Sequence, residues 1–218
     1  MDPISFLAWR FYYFFRDPPR EAPSGQVVVA PADGVVLYVR RVDEGMVPSP
    51  LKCGALVPLE EWVGAVSCEG GGSLVGIYMT PLSVHYNRAP VAGRVTRVVS
   101  RPARGENLSM TRAFMRLLWD MKPYEEDSRY ITQNARNSIA IDGEAPMVVV
   151  QIADRYVREV DCFVEEGDDV AVGQKVGMIR MGSQCDLYVP DSTGVTLTCR
   201  AGDRVRAGET VLGTYQPK

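Results

Sequence analysis

Two stretches near the end of the chain, "EEGDDVAVGQKVGMI" (165–179) and "RAGDRVRAGETVLGTY" (200–215), share the frame Gly-Asp-x-Val-x-x-Gly-x-x-Val. Each copy indicates a turn at Gly-Asp, a short valine-bearing strand, a second turn at Gly and a returning strand. Repeated hairpins of this kind are typical of small barrel-sandwich folds. The repeat therefore predicts an antiparallel β core.

Short strands are also predicted along the rest of the chain from Gln26 onward, because β-branched runs alternate with Gly, Pro and Asp turns. Only "TRAFMRLLWDM" (111–121) has the apolar spacing of a helix. We therefore expect a mainly β (α+β) protein with an antiparallel barrel-sandwich-like core and one or two short helices besides an N-terminal one. A chain of 218 residues with 46% hydrophobic content can bury one sizeable core.

Charge and cysteine content exclude several classes of protein. The formal net charge is −3 and the pI is about 5.3, so the chain lacks the general basic surface of nucleic-acid binders. Its five cysteines are odd in number and form no Cys-x-x-Cys pair. This pattern favours reduced thiols over a disulfide framework, and it predicts neither a structural zinc nor another metal site.

The N-terminus carries an apolar, aromatic run from Ile4 to Phe15. This run is shorter than the roughly 20 residues that a spanning helix needs, and Arg10 lies within it. One interpretation is a helix in the membrane surface, with aromatic rings and arginines at the interface; the alternative is a helix packed on the protein's own core. We expect a membrane-associating segment at 1–22 and a single domain at 23–218.

Arginines are concentrated in the middle of the chain, where six of them accompany a single acid, Glu106, between residues 94 and 116. The cluster fits either a solvated helix face or a surface for anionic lipid or phosphate. The candidates for phosphate contacts are Arg88, Arg101, Arg104 and Arg112.

Candidates for catalysis are few. His85 is the single histidine, and Asp33 lies in a Pro-Ala-Asp-Gly turn between two valine-rich strands. Either residue alone is more often structural than catalytic. The stretch "IRMGSQCDLYVP" (179–190) has the alternation of a strand, but Gly182 and Ser183 interrupt it where neither favours a strand.

Three of these segments together resemble the phosphatidylserine decarboxylases, in particular their short bacterial and archaeal forms. They are "PADGVV" (31–36), "YMTPLSVHYNRAPVAGRV" (78–95) and "GSQCDLYVP" (182–190). The resemblance covers most of the chain. It departs from the family pattern at Ala135, which replaces a Glu in the Asn-Glu-Arg-Asn segment, and at Met181 and Gln184, which flank the Gly-Ser pair.

The resemblance implies that the chain cuts itself between Gly182 and Ser183 and that Ser183 becomes a covalent pyruvoyl group. The Ser183 hydroxyl would attack the Gly182 carbonyl, and elimination from the resulting ester would leave the pyruvoyl precursor. His85 would act as the base and Asp33 as the acid that orients it. The products, 1–182 and 183–218, would stay associated. The pyruvoyl group would serve as the cofactor, with no metal required.

The implied reaction converts phosphatidylserine, or archaetidylserine, to the ethanolamine phospholipid with release of CO₂. The resemblance also implies a peripheral location at the cytoplasmic face of the cell membrane, and it leaves open whether the protein forms a homo-oligomer.

Two other classes of function remain. A Ser-His-Asp hydrolase would lack the usual Gly-x-Ser-x-Gly around Ser183. A lipoyl- or biotinyl-like carrier or a membrane adaptor would need no Ser183 chemistry, but such carriers modify a lysine at an exposed hairpin tip, whereas Lys175 lies inside the repeat just after Gly173 and Gln174.

Overall fold

The computed structural model describes residues 12–48, 56–63, 70–155, 157, 160–180 and 182–216. Within these ranges the strands are β1 (Val27–Val29), β2 (Gly34–Val42), β3 (Met46–Pro48), β4 (Leu56–Pro58), β5 (Gly72–Met79), β6 (Tyr86–Arg88), β7 (Gly93–Arg101), β8 (Arg136–Asp142), β9 (Met147–Ala153), β10 (Val160–Cys162), β11 (Asp169–Val170), β12 (Lys175–Ile179), β13 (Ser183–Pro190), β14 (Thr196–Leu197), β15 (Arg204–Val205) and β16 (Val211–Thr214). The helices are α1 (Leu59–Val63), α2 (Thr111–Leu118) and α3 (Tyr130–Gln133), with a 3₁₀ turn at Asp191–Thr193.

An eight-stranded sheet forms the body of the molecule, in the order β11-β7-β8-β9-β13-β5-β2-β15. Every neighbouring pair in it is antiparallel. Three smaller sheets accompany it, in the orders β1-β16-β14, β10-β12-β6 and β3-β4. The sheet curls into half of a barrel, so the mainly β, antiparallel prediction is confirmed.

Both faces of the large sheet are buried, and strand alternation assigns successive residues to different sides. On β13, Cys185 and Leu187 belong to the apolar core shared with the sheets β1-β16-β14 and β10-β12-β6. Tyr188 belongs to the second core, which includes Trp62 of α1 and Ile131 of α3. The sheets β1-β16-β14 and β10-β12-β6 therefore cover one face. The helices cover the other face together with Val47 of the β3-β4 sheet, so β13 lies in the interior of the protein.

The two sequence repeats fold in the same way. In the first, the backbone N–H of Glu165 donates to the Asp168 carboxylate at 2.9 Å; in the second, the N–H of Arg200 donates to Asp203 at 2.7 Å. The glycine before each aspartate has a φ close to +100°, which favours glycine because a side chain is strained there. The predicted turns and strands are therefore confirmed, but the predicted hairpins are not: β11 pairs with β7 and β12 with β10 and β6, and β15 pairs with β2 and β16 with β1 and β14. The two strands of each repeat belong to different sheets, because the Gly turn between them crosses from the large sheet to a small one.

Each repeat also packs on a Pro-x-x-Gly turn far away in sequence. The Gly173 N–H donates to the Ala89 carbonyl and the Gly208 N–H to the Ala30 carbonyl, both at 2.9 Å. The next residues are Pro90 and Pro31, which start the turns "PVAG" (90–93) and "PADG" (31–34). The two turns are thus structurally equivalent, and the position that holds Asp33 in one turn holds an alanine, residue 92, in the other.

The described residues form three short helices against sixteen strands. Helix α2 lies within the predicted segment 111–121, whereas α1 and α3, of five and four residues, were not predicted. Such short helices contain too few turns for a 3.6-residue period to be visible in sequence.

The predicted N-terminal helix falls mainly outside the described residues. In the part of the chain that is described, no helix has the length and apolarity needed to cross a bilayer.

Candidate active site

The Gly182–Ser183 bond lies where β13 begins, at the middle of the large sheet. Ser183 is opposite Met79 of β5 on one side and Ala153 of β9 on the other. It is fully buried. A strand paired on both sides is held by hydrogen bonds along its length, so the position of Ser183 is fixed by its neighbours and not by its own side chain.

Gly182 accepts no side chain at this position. Its φ is +61°, and a Cβ atom built on it would lie 2.5 Å from Oδ2 of Asp154. That carboxylate cannot easily move away, because its other oxygen accepts the backbone N–H groups of Met110 and Arg155. Sterically, the residue before Ser183 must be glycine, which leaves its carbonyl carbon open to approach.

The Ser183 hydroxyl has a weak hydrogen-bond partner. It donates to Sδ of Met79 at 3.2 Å, and the side-chain amide of Asn87 donates to the same sulfur at 3.6 Å. A thioether is a poor acceptor compared with oxygen or nitrogen. The hydroxyl is therefore held in place without losing its proton to a strong acceptor, and a base has to come from elsewhere.

His85 lies six residues after Met79, at the end of the loop that follows β5. Its backbone lies next to β12. Its carbonyl accepts the N–H of Ile179, four residues before Ser183. The ring nitrogen Nδ1 lies 2.9 Å from the carbonyl oxygen of Ser83. A carbonyl can only accept, so Nδ1 carries the hydrogen and Nε2 carries a lone pair. Among the described residues, the buried Nε2 atom has no hydrogen-bond partner.

The surroundings of His85 keep the ring neutral. Burial lowers its pKa to about 4, and the nearby positive charge of Arg16 acts in the same direction, whereas the hydrogen bond to Ser83 opposes them. The ring of Phe14 covers the imidazole at 4.2 Å between centroids. At neutral pH the imidazole is therefore unprotonated at Nε2, the state that a general base requires.

Asp33 lies in a different set of contacts. One carboxylate oxygen binds Nη2 of Arg20 at 2.9 Å, and the other accepts the N–H of Ala207 at 2.8 Å. Among the contacts of the described residues, none joins Asp33 to His85. Because the equivalent turn is built with Ala92, the turn itself does not require the acid. The orienting role of Asp33 stays a prediction.

The predicted phosphate-binding arginines do not form one free cluster. Arg88 binds Asp17 at 2.6 Å, Arg112 binds Asp127 at 2.8 Å and Arg104 lies 3.8 Å from Glu61. These acids come from other parts of the chain, which the local count of charges in the sequence could not include. Arg101 lies at the end of β7. Phosphate binding by these residues stays a prediction.

A buried polar network occupies the opposite face of β13. The Asp186 carboxylate accepts hydrogen bonds from the Tyr38 hydroxyl at 2.7 Å, from the Trp62 indole at 2.6 Å and from the Gln184 amide at 2.6 Å. The Tyr130 hydroxyl donates to Gln184 at 2.8 Å. Burial raises the pKa of Asp186 to about 6, and these donors oppose the rise. The network joins β13 to residues that precede Gly182 in sequence.

We expect Asp186→Ala to lower the free energy of unfolding by about 2–4 kcal/mol, because it leaves buried donors without an acceptor. Urea unfolding of the uncut Ser183→Ala chain measures the loss. The matched control is Asp191→Ala, which removes a half-exposed carboxylate that pairs with Arg41 and should cost at most about 1 kcal/mol. Equal losses in the two variants would contradict the role of the network.

Five residues of the site were not predicted from the sequence. Met79 and Asp154 each lie at the end of a predicted strand, where the residue types carry no signal of their own. Asn87 is two residues from His85, so the segment around the single histidine could have indicated it. The other two are Phe14 and Arg20, which precede the β region of the chain.

Comparison with known proteins points to one family. The family model described as phosphatidylserine decarboxylase matches residues 7–213. The chain is 36% identical, over 95% of its length and 85% of the relative's, to a protein of Methanopyrus kandleri named putative archaetidylserine decarboxylase proenzyme. It is 35% identical, over 93% of its length and 78% of the relative's, to the phosphatidylserine decarboxylase proenzyme of Pelodictyon phaeoclathratiforme.

Proposed function

Because the chain belongs to the phosphatidylserine decarboxylase family, we propose that it removes CO₂ from the serine headgroup of a phospholipid and leaves the ethanolamine lipid. The chain first cuts itself between Gly182 and Ser183, giving 1–182 and 183–218. The observation that carries this proposal is the buried Ser183 after Gly182, together with a buried histidine whose carbonyl binds the chain four residues before Ser183 and whose Nε2 has no hydrogen-bond partner among the described residues.

The chain's own groups suit the self-cleavage. Ser183 Oγ attacks the Gly182 carbonyl carbon, its proton moves to Nε2 of His85, and the same proton then protonates the Ser183 nitrogen as the C–N bond breaks. An ester thus replaces the amide. Loss of the Ser183 Cα proton breaks the Cβ–Oγ bond and releases the Gly182 carboxylate, after which water displaces ammonia from residue 183.

The surroundings of Ser183 also fit the pyruvoyl group that this reaction would form. Residue 183 would become the first residue of β13 and would stay paired with Met79 and Ala153 in the middle of the sheet. That group supplies a carbonyl that takes up the electrons freed when CO₂ leaves. In this proposal, Nε2 of His85 is a group that can move a proton at the site.

The two other classes have less support. Ser183 begins a strand and is fully buried, whereas a hydrolase nucleophile lies exposed at a turn from strand to helix. In the carrier interpretation Lys175 would be free at a hairpin tip. Its ammonium group instead binds Asp17 at 2.8 Å and lies over the Tyr86 ring.

We also propose that the protein works at a membrane surface, peripherally on the cytoplasmic side. Exposed apolar side chains support this: Tyr12 is 83% exposed, Leu82 66% and Trp119 64%. Tyr12 lies in the apolar run 4–15 and Leu82 in the loop that leads to His85. A lipid whose headgroup must reach a buried site would be delivered most directly from an adjacent bilayer.

Release of CO₂ from vesicles tests the proposal. We expect the purified chain to release labelled CO₂ from vesicles of phosphatidylserine or of archaetidylserine, and the comparison of the two identifies the lipid. The 183–218 fragment should lack a free amino terminus and should react with a hydrazide, because a ketone replaces the amine. A single uncut chain with no CO₂ release from either lipid would contradict the proposed function.

A further inference from the structure

Residues 14–20, here called the strap, connect the N-terminal apolar run to the β region and lie across the site. The Arg16 guanidinium donates to the Leu82 carbonyl, three residues before His85. Asp17 binds both Arg88 and Lys175, at 2.6 and 2.8 Å. The strap is thus attached to β6 and β12, the two strands that place His85 beside the chain leading to Ser183.

One end of the strap holds Asp33. The Arg20 guanidinium binds Asp33 at 2.9 Å and Glu209 at 3.0 Å, and its side chain is only 7% exposed. The pair is sheltered from water, so the attraction is stronger than in an exposed ion pair. Because Asp33 also accepts the Ala207 N–H, both of its oxygens are fixed, and Arg20 is the contact that a substitution can remove.

The other end covers His85. Phe14 is 2% exposed and its ring lies 4.2 Å from the imidazole, tilted by 33°. The hydrogen bond from Nδ1 to the Ser83 carbonyl fixes one edge of the imidazole. Phe14 therefore separates the imidazole from solvent on one side and limits the positions that Nε2 can take.

We propose that the strap is a positioning element of the self-cleavage site, in which Arg20 holds the Asp33 carboxylate and Phe14 holds and shields the His85 ring. This inference rests on the proposed function, since it concerns the same cleavage. It explains why an apolar N-terminal segment continues directly into a run of charged residues. Those residues are bound to the site and are not a solvated linker.

Replacing Arg20 tests one half of the proposal. Given the predicted orienting role of Asp33, we expect Arg20→Gln to slow self-cleavage at least about tenfold, because the Asp33 carboxylate loses the guanidinium that holds it, and we expect Arg20→Lys to restore part of the rate. The matched control is Arg206→Gln, which removes an exposed arginine that also contacts Glu209 but not Asp33. Cell-free translation followed by a timed denaturing gel measures the cut fraction.

Replacing Phe14 tests the other half through the pH dependence of cleavage. Water that reaches the imidazole would raise its pKa from about 4 toward the ordinary value of about 6.5. Phe14→Ala should therefore move the acid limb of the cleavage rate upward by one to two pH units, on the order of the shift that desolvation causes. Tyr12→Ala, at an exposed aromatic, should leave the limb in place.

The outcomes distinguish a failure of the strap proposal from a failure of the proposed function. If the wild type stays whole, the proposed function fails. If the wild type cuts and Arg20→Gln and Phe14→Ala cut at the same rate and pH as the wild type, the strap proposal is wrong. Thermal unfolding of both substitutions, made in the uncut Ser183→Ala chain, shows whether either one destabilises the fold. If cleavage slows only in proportion to such a loss of stability, and the acid limb of the rate does not move, the strap proposal is also wrong.

Discussion

Ser183→Ala should leave a single uncut chain of 24.1 kDa. This chain should form no pyruvoyl ketone and should release no CO₂ from any serine lipid. The substitution removes the nucleophile for cleavage and the oxygen that leaves in the elimination, so neither step has a substitute. Intact mass spectrometry measures both the mass and the reaction with a hydrazide. We expect the fraction of cut chain to fall below the detection limit.

Two further variants make this result specific. Ser192→Ala removes an exposed hydroxyl from the same fragment and should cut like the wild type. Ser183→Cys retains a nucleophile and should cut slowly. The mechanism would be refuted if Ser183→Ala still produced two chains. A free serine at the start of the wild-type fragment would instead mean ordinary proteolysis.

His85→Ala should slow self-cleavage by about 10²–10⁴, the range that general base catalysis contributes. Without an acceptor for its proton, the Ser183 hydroxyl is a weak nucleophile at neutral pH. The cut fraction after cell-free translation measures the change. Added imidazole should restore part of the rate if the cavity left by the ring admits it.

The pH dependence gives this prediction a second measurement. The base acts in its neutral form, and burial lowers the pKa of His85 to about 4. Wild-type cleavage should therefore continue unchanged as pH falls from 7 to about 5 and should decline only as pH approaches 4. In His85→Ala that decline should disappear. A variant that cuts as fast as the wild type would exclude His85 as the base.

The sequence by itself determined the fold class, and it also yielded the prediction of a reactive bond between Gly182 and Ser183. Strand periods and glycine turns are local patterns, so the turns and strands within 165–179 and 200–215 could be predicted. The pairing of those strands could not, since the two strands of each repeat join different sheets and form no hairpin. The Gly182–Ser183 pair was visible because it breaks an alternation that its own neighbours define. The resemblance to a family came from the same three short segments, which include His85 and Asp33.

Only the tertiary structure decided what each of these residues touches. Asp33 meets Arg20 and Ala207, His85 meets Phe14 and Ser83, and the predicted arginines meet acids that are distant in sequence. Such contacts depend on strand order and register, and a sheet in the order β11-β7-β8-β9-β13-β5-β2-β15 joins elements that are far apart in the chain. Non-local pairing leaves no periodic trace in a single sequence, so these partners had to be read from the folded chain.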